Sequence, residues 1–302
     1  MELGLILCVD GGGSKSRARL CDSTGKMLAE AEDGPCNPTT GVPRAVQSIG
    51  GLWQSCSRAT DDRYRMADVT LAIGAAGLYV PSSRVRLLKV LPRFRDVVTL
   101  SDGYAALIGA GGGKSCALLI VGTGVAGHRL WPDGTSVQRD AWGWVAGDRG
   151  GGAWLGLHAL RHTMEVVDGV LTADDLARSV LEIVGGAAAM IEWIVGLGPD
   201  RLATLAPLVI SAADAGVASA IAIRDRAIAH LAALTGTLDL APGVKLYAFG
   251  GLATIFAPML AARIGRPVLL PESDAMTGCF LVATGKAPPE RVRELAAAEP
   301  AR

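Results

Sequence analysis

Short apolar runs alternate along this chain with stretches of helical periodicity, an order typical of an α/β protein. Strand-like apolar runs occur at 5–9, 16–21, 69–73, 97–101, 116–121, 127–131, 244–249 and 267–270. Helical spacing covers 42–59, 83–91, 103–110, 152–167, 173–195, 200–214, 216–236, 254–264 and 273–285. Residues 172–236 contain no strand-like run and are rich in alanine, so they predict a helical layer packed on the second half of the chain.

The first strand leads into three consecutive glycines. Asp10 ends the strand, and Gly11-Gly12-Gly13-Ser14-Lys15 follows it. Glycines let the backbone approach a ligand closely and direct successive N–H groups at it, as a phosphate group requires. A carboxylate beside such a turn can hold Mg²⁺ through water. The segment therefore indicates a nucleotide phosphate site, with a plain glycine turn as the alternative.

The same pattern returns about 110 residues later. An apolar run at 117–121 meets Gly122-Thr123-Gly124, and a second strand then leads to Trp131-Pro132-Asp133-Gly134, a turn that matches Asp22-Ser23-Thr24-Gly25 in the first copy. This similarity predicts a duplicated core with a cleft between its halves, and two unrelated hairpins in one domain are the alternative.

A third glycine pair follows a strand near the end of the chain. The apolar run 245–249 ends in Gly250-Gly251, and helical spacing follows. Ligands of open α/β sheets bind at such strand ends, and paired glycines admit a base or ribose. An ordinary strand-to-helix connection has the same pattern.

Composition excludes several function classes. The 302 residues carry 29 Lys+Arg and 29 Asp+Glu, so there is no basic footprint for nucleic acid or an anionic membrane. The most apolar window, 104–127, contains Lys114 and a glycine break, which argues against a membrane span. The balanced charge predicts a small-molecule partner. Six scattered cysteines form no C-x-x-C pair, so we expect reduced thiols and a cytoplasmic protein.

In their order and spacing, the motifs of this chain resemble the N-acetylglucosamine and glucosamine kinase group of the BadF/BadG/BcrA/BcrD-type ATPase family, which are actin-like sugar kinases. The resemblance spans Asp10 to about Gly285. It rests on Asp10-Gly11-Gly12-Gly13-Ser14, Gly34-Pro35-Cys36-Asn37, Ser101-Asp102-Gly103-Tyr104-Ala105-Ala106, Gly122-Thr123-Gly124, Gly143-Trp144-x-x-Gly147-Asp148, Gly250-Gly251 and Ser273-Asp274-Ala275-x-x-Gly278.

The resemblance implies two ribonuclease-H-like domains around a central cleft. Residues 1–112 with 273–302 would form the N-terminal domain, and 113–272 the C-terminal domain with its helical layer. It also implies an ATP- and Mg²⁺-dependent kinase that transfers the γ-phosphoryl group to the 6-hydroxyl of glucosamine. N-acetylglucosamine is the alternative amino sugar. A homodimer is the family's usual state.

The resemblance also assigns roles to residues. Asp102 is expected to be the general base; because it ends a strand just before a helix, a helix N-cap is its alternative role. Asp10 would organise the metal ion. The phosphates and the nucleotide would contact Gly11, Gly12, Gly13, Ser14, Lys15, Thr123, Gly124, Gly250 and Gly251.

The sugar is expected to contact Asn37, Asp102 and Asp148, because amide and carboxylate groups can pair with adjacent ring hydroxyls. Gly77 is expected to line the sugar pocket through its backbone. Asn37 lies between two prolines, so a turn role is its alternative.

Three positions depart from the family pattern. Arg149 stands where Glu or Gln is common, Val125 replaces a common Ser, and Gly103 replaces a common Ala. Arg149 bears on the substrate, because a cation disfavours a nearby protonated 2-amino group and tolerates an acetamide.

Two other functions stay open. A dehydratase-activating ATPase shares the family but needs cysteines for an iron–sulfur cluster, and a sugar sensor would bind without turnover. The tail after Pro288-Pro289 is polar and Ala-rich, which predicts a short surface helix or a frayed end.

Overall fold

The computed structural model describes residues 4–293. Its strands are β1 (Leu5–Gly11), β2 (Ser16–Cys21), β3 (Met27–Asp33), β4 (Val69–Ala75), β5 (Asp96–Ser101), β6 (Cys116–Val121), β7 (Val125–Leu130), β8 (Ser136–Asp140) and β9 (Leu246–Phe249). Its helices are α1 (Val42–Ala59), α2 (Pro81–Leu88), α3 (Asp102–Ala110), α4 (Gly152–Val167), α5 (Asp175–Val184), α6 (Met190–Ile194), α7 (Pro199–Ala203), α8 (Ala206–Asp214), α9 (Ala218–Gly236), α10 (Ala253–Ile264) and α11 (Ala275–Ala283).

The first sheet has the strand order β3-β2-β1-β4-β5. β1 pairs antiparallel with β2 and parallel with β4, and β4 pairs parallel with β5. Helix α1 covers one face, where Ile49 and Leu52 join Leu7, Val9 and the rest of a buried cluster. Helices α3 and α11 contact β4 from the same unit. Because helices cover β1 and β4 on both faces, the sequences of these strands are continuous apolar runs.

The second sheet has the strand order β8-β7-β6-β9. In both sheets three consecutive strands lie side by side, and a later strand is then added next to the first of the three. This agrees with the duplication predicted from the two glycine-containing repeats. Residues 172–236 form helices α5 to α9 without a strand, as predicted.

The chain forms two compact units, each described by itself. The first holds the described parts of Met1–Leu118, His128–Val137 and Pro271–Arg302, and the second holds Leu119–Gly127 and Gln138–Leu270. The predicted domain boundaries stay a prediction, and residues 294–302 of the predicted N-terminal domain lie outside the described residues.

Several predicted elements were wrong in extent. The helix expected over 173–195 is divided into α5 and α6, because Gly185 and Gly186 adopt φ of +84° and +91° between them. The strand expected at 267–270 is reduced to a single bridge between Tyr247 and Leu269. Strands β3 and β8 were not predicted.

The tail also differs from the prediction. Between Pro289 and Arg293 the chain is not helical, and Val292 pairs in parallel with Ser136. The predicted surface helix or frayed end is therefore wrong for residues 290–293, and its remainder lies outside the described residues.

Within residues 4–293, no single helix combines the length and the apolar character needed to cross a bilayer. Taken together, Pro199–Asp214 and Ala218–Gly236 meet that criterion by length and composition, but they are bent by 112°.

Candidate functional site

In the first unit, the glycine turn between β1 and β2 is joined to two neighbouring loops by backbone hydrogen bonds. Gly12 N–H donates to the Lys15 carbonyl at 2.9 Å, which closes the turn. Cys36 N–H donates to Gly12 O at 3.0 Å, and Ala76 N–H donates to Gly11 O at 2.8 Å. The structure therefore brings the turn together with the segments that carry Asn37 and Gly77.

The glycines of this turn serve different purposes. A Cβ atom at Gly12 would lie 2.7 Å from the Lys15 carbonyl oxygen, so the turn itself requires glycine there. A Cβ atom at Gly13 would meet nothing within 4 Å, and Gly13, Ser14 and Lys15 are exposed. The backbone at Gly13 is thus the part of the turn that a ligand can approach.

Asp10 is the carboxylate beside this turn. Its Oδ2 accepts a hydrogen bond from Arg17 Nη2 at 2.8 Å, and its side chain is 26% exposed. Among residues 4–293, no group of three or more His, Cys, Asp or Glu side chains is placed to hold a metal ion. Because Mg²⁺ is usually held by one or two carboxylates together with substrate phosphates and water, a single accessible carboxylate fits a Mg²⁺ ion that arrives with a nucleotide.

Asp102 is the first residue of α3, in the same unit as Asp10. The N-cap of α3 is Ser101, whose Oγ accepts a hydrogen bond from Tyr104 N–H at 3.2 Å. The alternative role of Asp102 as the N-cap is therefore wrong, because the preceding residue fills it. The Asp102 side chain reaches solvent and is not needed to cap the helix.

The surroundings of Asp102 raise its pKa above the ordinary aspartate value. Desolvation by nearby protein atoms is the main cause, although the side chain still meets water at one side. The negative charges of Asp10 and Glu290 raise the pKa further, while the N–H groups of Asp102 and Gly103 oppose the shift.

Asn37 and Gly77 contact each other. Asn37 Oδ1 accepts hydrogen bonds from the N–H and the hydroxyl of Thr39, which is the turn role that was its alternative. Gly77 has φ of +83°, and a Cβ atom there would lie 2.5 Å from Asn37 Oδ1. The carbonyl end of Asn37 is thus occupied by the turn, and its amide nitrogen is the end that remains for a ligand.

In the second unit, the Gly122-Thr123-Gly124 turn is bonded to the start of α4. Gly152 N–H donates to Gly122 O at 2.8 Å, and Ala153 N–H donates to Thr123 O at 3.0 Å. Gly250 packs on the same strand end, since a Cβ atom there would lie 2.4 Å from the Val121 carbonyl oxygen. The structure therefore brings the second glycine turn and Gly250-Gly251 together.

Asp148 lies against this second turn. A Cβ atom at Gly124 would lie 2.5 Å from Asp148 Oδ2. Burial is the main cause that raises the pKa of Asp148; Asp140 raises it further, and a hydrogen bond from Val125 N–H opposes the shift. Asp148 thus has one structural partner in the turn, and its role as a sugar ligand stays a prediction.

The three departures have local explanations of different strength. At Gly103 the space for a side chain is filled by the buried imidazole of His128. Val125 has a buried side chain, and its N–H is the group bonded to Asp148. Arg149 is exposed, and its charge and that of Arg226 add to burial in lowering the pKa of His230.

Sequence reasoning missed two charged residues beside the candidate site. Arg17 pairs with Asp10, and Glu290 contacts the residue before Asp102. The strand alternation of β2 could have placed Arg17 near Asp10 in a hairpin, whereas nothing in the sequence around Pro288-Pro289 indicates where Glu290 lies.

The sequence model of the BadF/BadG/BcrA/BcrD ATPase family matches residues 7–253. The chain belongs to this family. A glucosamine kinase of Vibrio cholerae is 24% identical to this family member over 279 residues, which cover 91% of this chain and 94% of that protein. A solved structure from Chromobacterium violaceum, provisionally assigned as an N-acetylglucosamine kinase, is 29% identical, with a TM-score of 0.87 and coverage of 94% of this chain and 100% of that one.

A more distant structure has the same fold. A ROK family glucokinase from Streptomyces griseus, solved with glucose and AMPPNP, is 19% identical, with a TM-score of 0.52 over 94% of this chain and 99% of that one. The resemblance drawn from the motifs is thus confirmed at the level of family, and so is the α/β fold class of actin-like sugar kinases.

Proposed function

We propose that this family member is an ATP-dependent amino-sugar kinase that transfers the γ-phosphoryl group to the 6-hydroxyl of glucosamine. The Vibrio cholerae relative supports this proposal, because the likeness extends over nearly the whole of both chains. Asp102 is the proposed general base, and the local structure around it carries the proposal.

The observation that carries the proposal is that the Asp102 carboxylate has no capping role and lies near enough to Asp10 for the charge of Asp10 to raise its pKa. Ser101 caps α3, so the Asp102 carboxylate is available to accept a proton. Its raised pKa makes it a stronger base than an ordinary aspartate. Phosphoryl transfer depends mainly on positioning and charge, with one proton acceptor for the attacking hydroxyl.

In the proposed reaction, Asp102 accepts the proton of the 6-hydroxyl as that oxygen attacks the γ-phosphorus. The new bond joins the sugar oxygen to phosphorus, and the bond to the β,γ-bridging oxygen breaks, so ADP leaves with that electron pair. Asp10 would hold Mg²⁺, which neutralises phosphate charge when bound. The Gly13 backbone, Ser14 and Lys15 would bind phosphate oxygens.

The remaining ligand roles belong to the same proposal. Thr123 and Gly124 would bind phosphates from the second unit, with Gly250-Gly251 close to the nucleotide. Asn37, Gly77 and Asp148 would orient the sugar. The exposed backbone at Gly251, where a Cβ atom would meet nothing within 4 Å, supports its part in this set.

N-acetylglucosamine is the second candidate substrate, and Arg149 favours it. Arg149 and Arg226 both act on His230, so the loop that follows Asp148 carries positive charge. A protonated 2-amino group would be repelled there, whereas a neutral acetamide would not. The assignment of the Chromobacterium violaceum structure agrees with this candidate.

A dehydratase-activating ATPase and a sugar sensor would each need a property that differs from those of a kinase. An iron–sulfur cluster needs cysteine thiolates, but all six cysteines are buried, and burial raises the pKa of Cys36 to about 12 and of Cys56 to about 11. A sensor would bind sugar without consuming ATP. The cytoplasmic location and the homodimer stay predictions.

The test is ADP release by the purified protein with ATP and Mg²⁺, with glucosamine, N-acetylglucosamine, glucose or no sugar. Asp102→Asn should lower sugar-dependent turnover by about 10²- to 10⁴-fold, as expected for loss of a general base. Asp96→Asn, at the exposed start of β5, is the matched control and should retain turnover.

The position of the new phosphate would be determined by NMR of the product. Turnover independent of sugar, or no turnover with any sugar, would refute the kinase proposal.

A further inference from the structure

The segment from Ala287 to Arg293 returns to the helix that carries Asp102. Tyr104, in the first turn of α3, donates its hydroxyl hydrogen to the Pro288 carbonyl at 2.9 Å. Ser136 N–H donates to Arg291 O at 2.8 Å, so the segment is also fixed beside β8. The start of α3 therefore contacts a distant part of the chain.

Glu290 adds polar contacts with Ser101, the N-cap of α3, and with Arg84 on α2. Its Oε2 accepts hydrogen bonds from Ser101 N–H at 3.0 Å and from Arg84 Nη2 at 2.9 Å. Its Oε1 accepts from Ser101 Oγ at 2.5 Å. The side chain is only 7% exposed, so this is a buried carboxylate with both oxygens bonded.

Ser101 transmits these contacts to the helix. Its Oγ donates to Glu290 and accepts from Tyr104 N–H, so one hydroxyl joins the tail to the first turn of α3. Its N–H, at the end of the edge strand β5, is bonded to the same carboxylate. Asp102 is the next residue along the chain, and its backbone follows the position of Ser101.

A buried carboxylate is expensive to maintain, because desolvation offsets much of the energy of its ion pair. A neutral amide of the same shape has one acceptor oxygen, so only the carboxylate accepts hydrogen bonds at both positions. The charge of Glu290 also acts on Asp102, where it raises the pKa of the carboxyl group. Glu290 therefore affects both the position and the proton affinity of Asp102.

We propose that Glu290 is a positioning residue for Asp102, which it holds through Ser101 at the start of α3. The assignment of Asp102 as the base rests on the proposed function; the coupling between Glu290 and Asp102 does not.

The charged groups around Asp102 determine the expected effect of a substitution. Asp10 on β1 and Glu290 in the tail raise the pKa of Asp102, and they are paired with Arg17 and Arg84. His128 packs against Gly103, and burial lowers its pKa to about 4, so it is neutral at pH 7.

Charges on the tail itself also matter. Arg291 and Glu290 act in opposite directions on the pKa of Tyr104. Glu290→Gln would leave Arg291 in place and remove one of the two negative charges that act on Asp102.

The first experiment needs no enzyme activity. Aspartate carboxyl carbons labelled with ¹³C would be titrated by NMR, with the Asp102 signal assigned by its loss in Asp102→Asn. In Glu290→Gln, which keeps the shape and most hydrogen bonds, Asp102 should titrate at lower pH than in the wild type. An unchanged Asp102 titration in a folded Glu290→Gln would overturn the proposal.

The second experiment measures turnover. Glu290→Ala removes the contacts to Ser101 and should lower kcat by about tenfold to a hundredfold, with KM for ATP little changed, because the base is displaced. In Glu290→Gln, the acidic limb of the pH profile should move to lower pH, in parallel with the NMR titration.

Asp133→Asn is the matched control. It neutralises the 2.9 Å ion pair between Asp133 and Arg293, which holds the same tail at the β7–β8 turn without contacting α3. It should leave kcat and the Asp102 titration unchanged. An equal loss of kcat in Asp133→Asn and Glu290→Ala would mean that general loosening of the tail is responsible, and would overturn the proposal.

The two proposals fail in different ways. If the wild-type protein turns over no sugar but Glu290→Gln shifts the Asp102 titration, the kinase proposal fails and the coupling stands. If turnover depends on Asp102 but neither its titration nor kcat responds to residue 290, the coupling fails and the kinase proposal stands.

Discussion

The imidazole of His128 occupies the space that a side chain at residue 103 would need. A Cβ atom at Gly103 would lie 2.2 Å from His128 Cε1 and 2.3 Å from Nε2. Gly103 follows Asp102 in the first turn of α3, and His128 lies on β7 with 4% exposure. The glycine next to the proposed base is therefore part of a packed pair rather than a flexible joint.

Gly103→Ala should destabilise the protein and displace Asp102. Overpacking of a buried contact costs about 1–3 kcal/mol, and relief of the clash requires either the helix start or the imidazole to move. We expect a lower urea midpoint and a lower kcat, each measured against the wild type.

A double-mutant cycle tests whether His128 is the cause. In a His128→Ala background, the added methyl group has room, so Gly103→Ala should cost at least about 1 kcal/mol less there than alone. Strictly additive effects would show that the clash is relieved elsewhere.

His128 should make stability sensitive to mild acid. Burial lowers its folded-state pKa to about 4, whereas the unfolded chain takes up a proton near the ordinary value of about 6.5. Stability from the neutral ring is present above pH 6.5 and is lost as the pH falls toward 4; between pH 7.5 and 5 the loss is about 2 kcal/mol.

The measurement is the free energy of unfolding across that range for the wild type and for His128→Gln, which cannot titrate. The variant should lose about 2 kcal/mol less than the wild type between pH 7.5 and 5. The same pH dependence in both proteins would contradict this account.

The parts of the fold that the sequence predicted best are those with strong periodicity. Helices α1 and α4 have the predicted bounds, because each buries one side along its length. Strand β3 was missed because it lies at the sheet edge, where Ala29 is its single buried residue and acidic side chains alternate with alanines. An edge strand of this kind carries no apolar signal.

The sequence predicted those parts of the candidate site that lie within one short segment, and it did not predict the contacts between distant segments. The glycine turns follow directly from strand ends, so their sequence motifs located them. Glu290 is 189 residues from Ser101 and 206 from Arg84 along the chain, and no periodicity relates them. Its burial follows from the tertiary course of the tail, which a single sequence does not reveal.

Asp102→Asn should leave the protein at least as stable as the wild type at pH 7. The pKa of Asp102 is raised in the folded state above its value in the unfolded chain. Ionisation of this residue therefore lowers the free energy of unfolding as the pH rises from the unfolded-state pKa to the folded-state pKa. Asparagine removes the ionisation. Because Ser101 caps the helix, no cap is lost.

Ser101→Ala is the contrasting variant, and it should lower the free energy of unfolding by about 1–2 kcal/mol through loss of the cap. Urea unfolding at pH 7 would compare the two. If Asp102→Asn were as unstable as Ser101→Ala, Asp102 would share the capping role and its availability as a base would be in doubt.

The adjacent glycines Gly250 and Gly251 should respond differently to alanine. Gly250 has φ of +113°, and a Cβ atom would lie 2.4 Å from the Val121 carbonyl oxygen, so Gly250→Ala should cost about 2 kcal/mol or more. A Cβ atom at Gly251 would meet nothing within 4 Å, so Gly251→Ala should unfold like the wild type.

If the nucleotide approaches the backbone at Gly251, the added methyl group should raise KM for ATP while kcat at saturating ATP changes little. Normal stability in Gly250→Ala would show that the strand end can shift, and an unchanged KM in Gly251→Ala would remove Gly251 from the proposed nucleotide site.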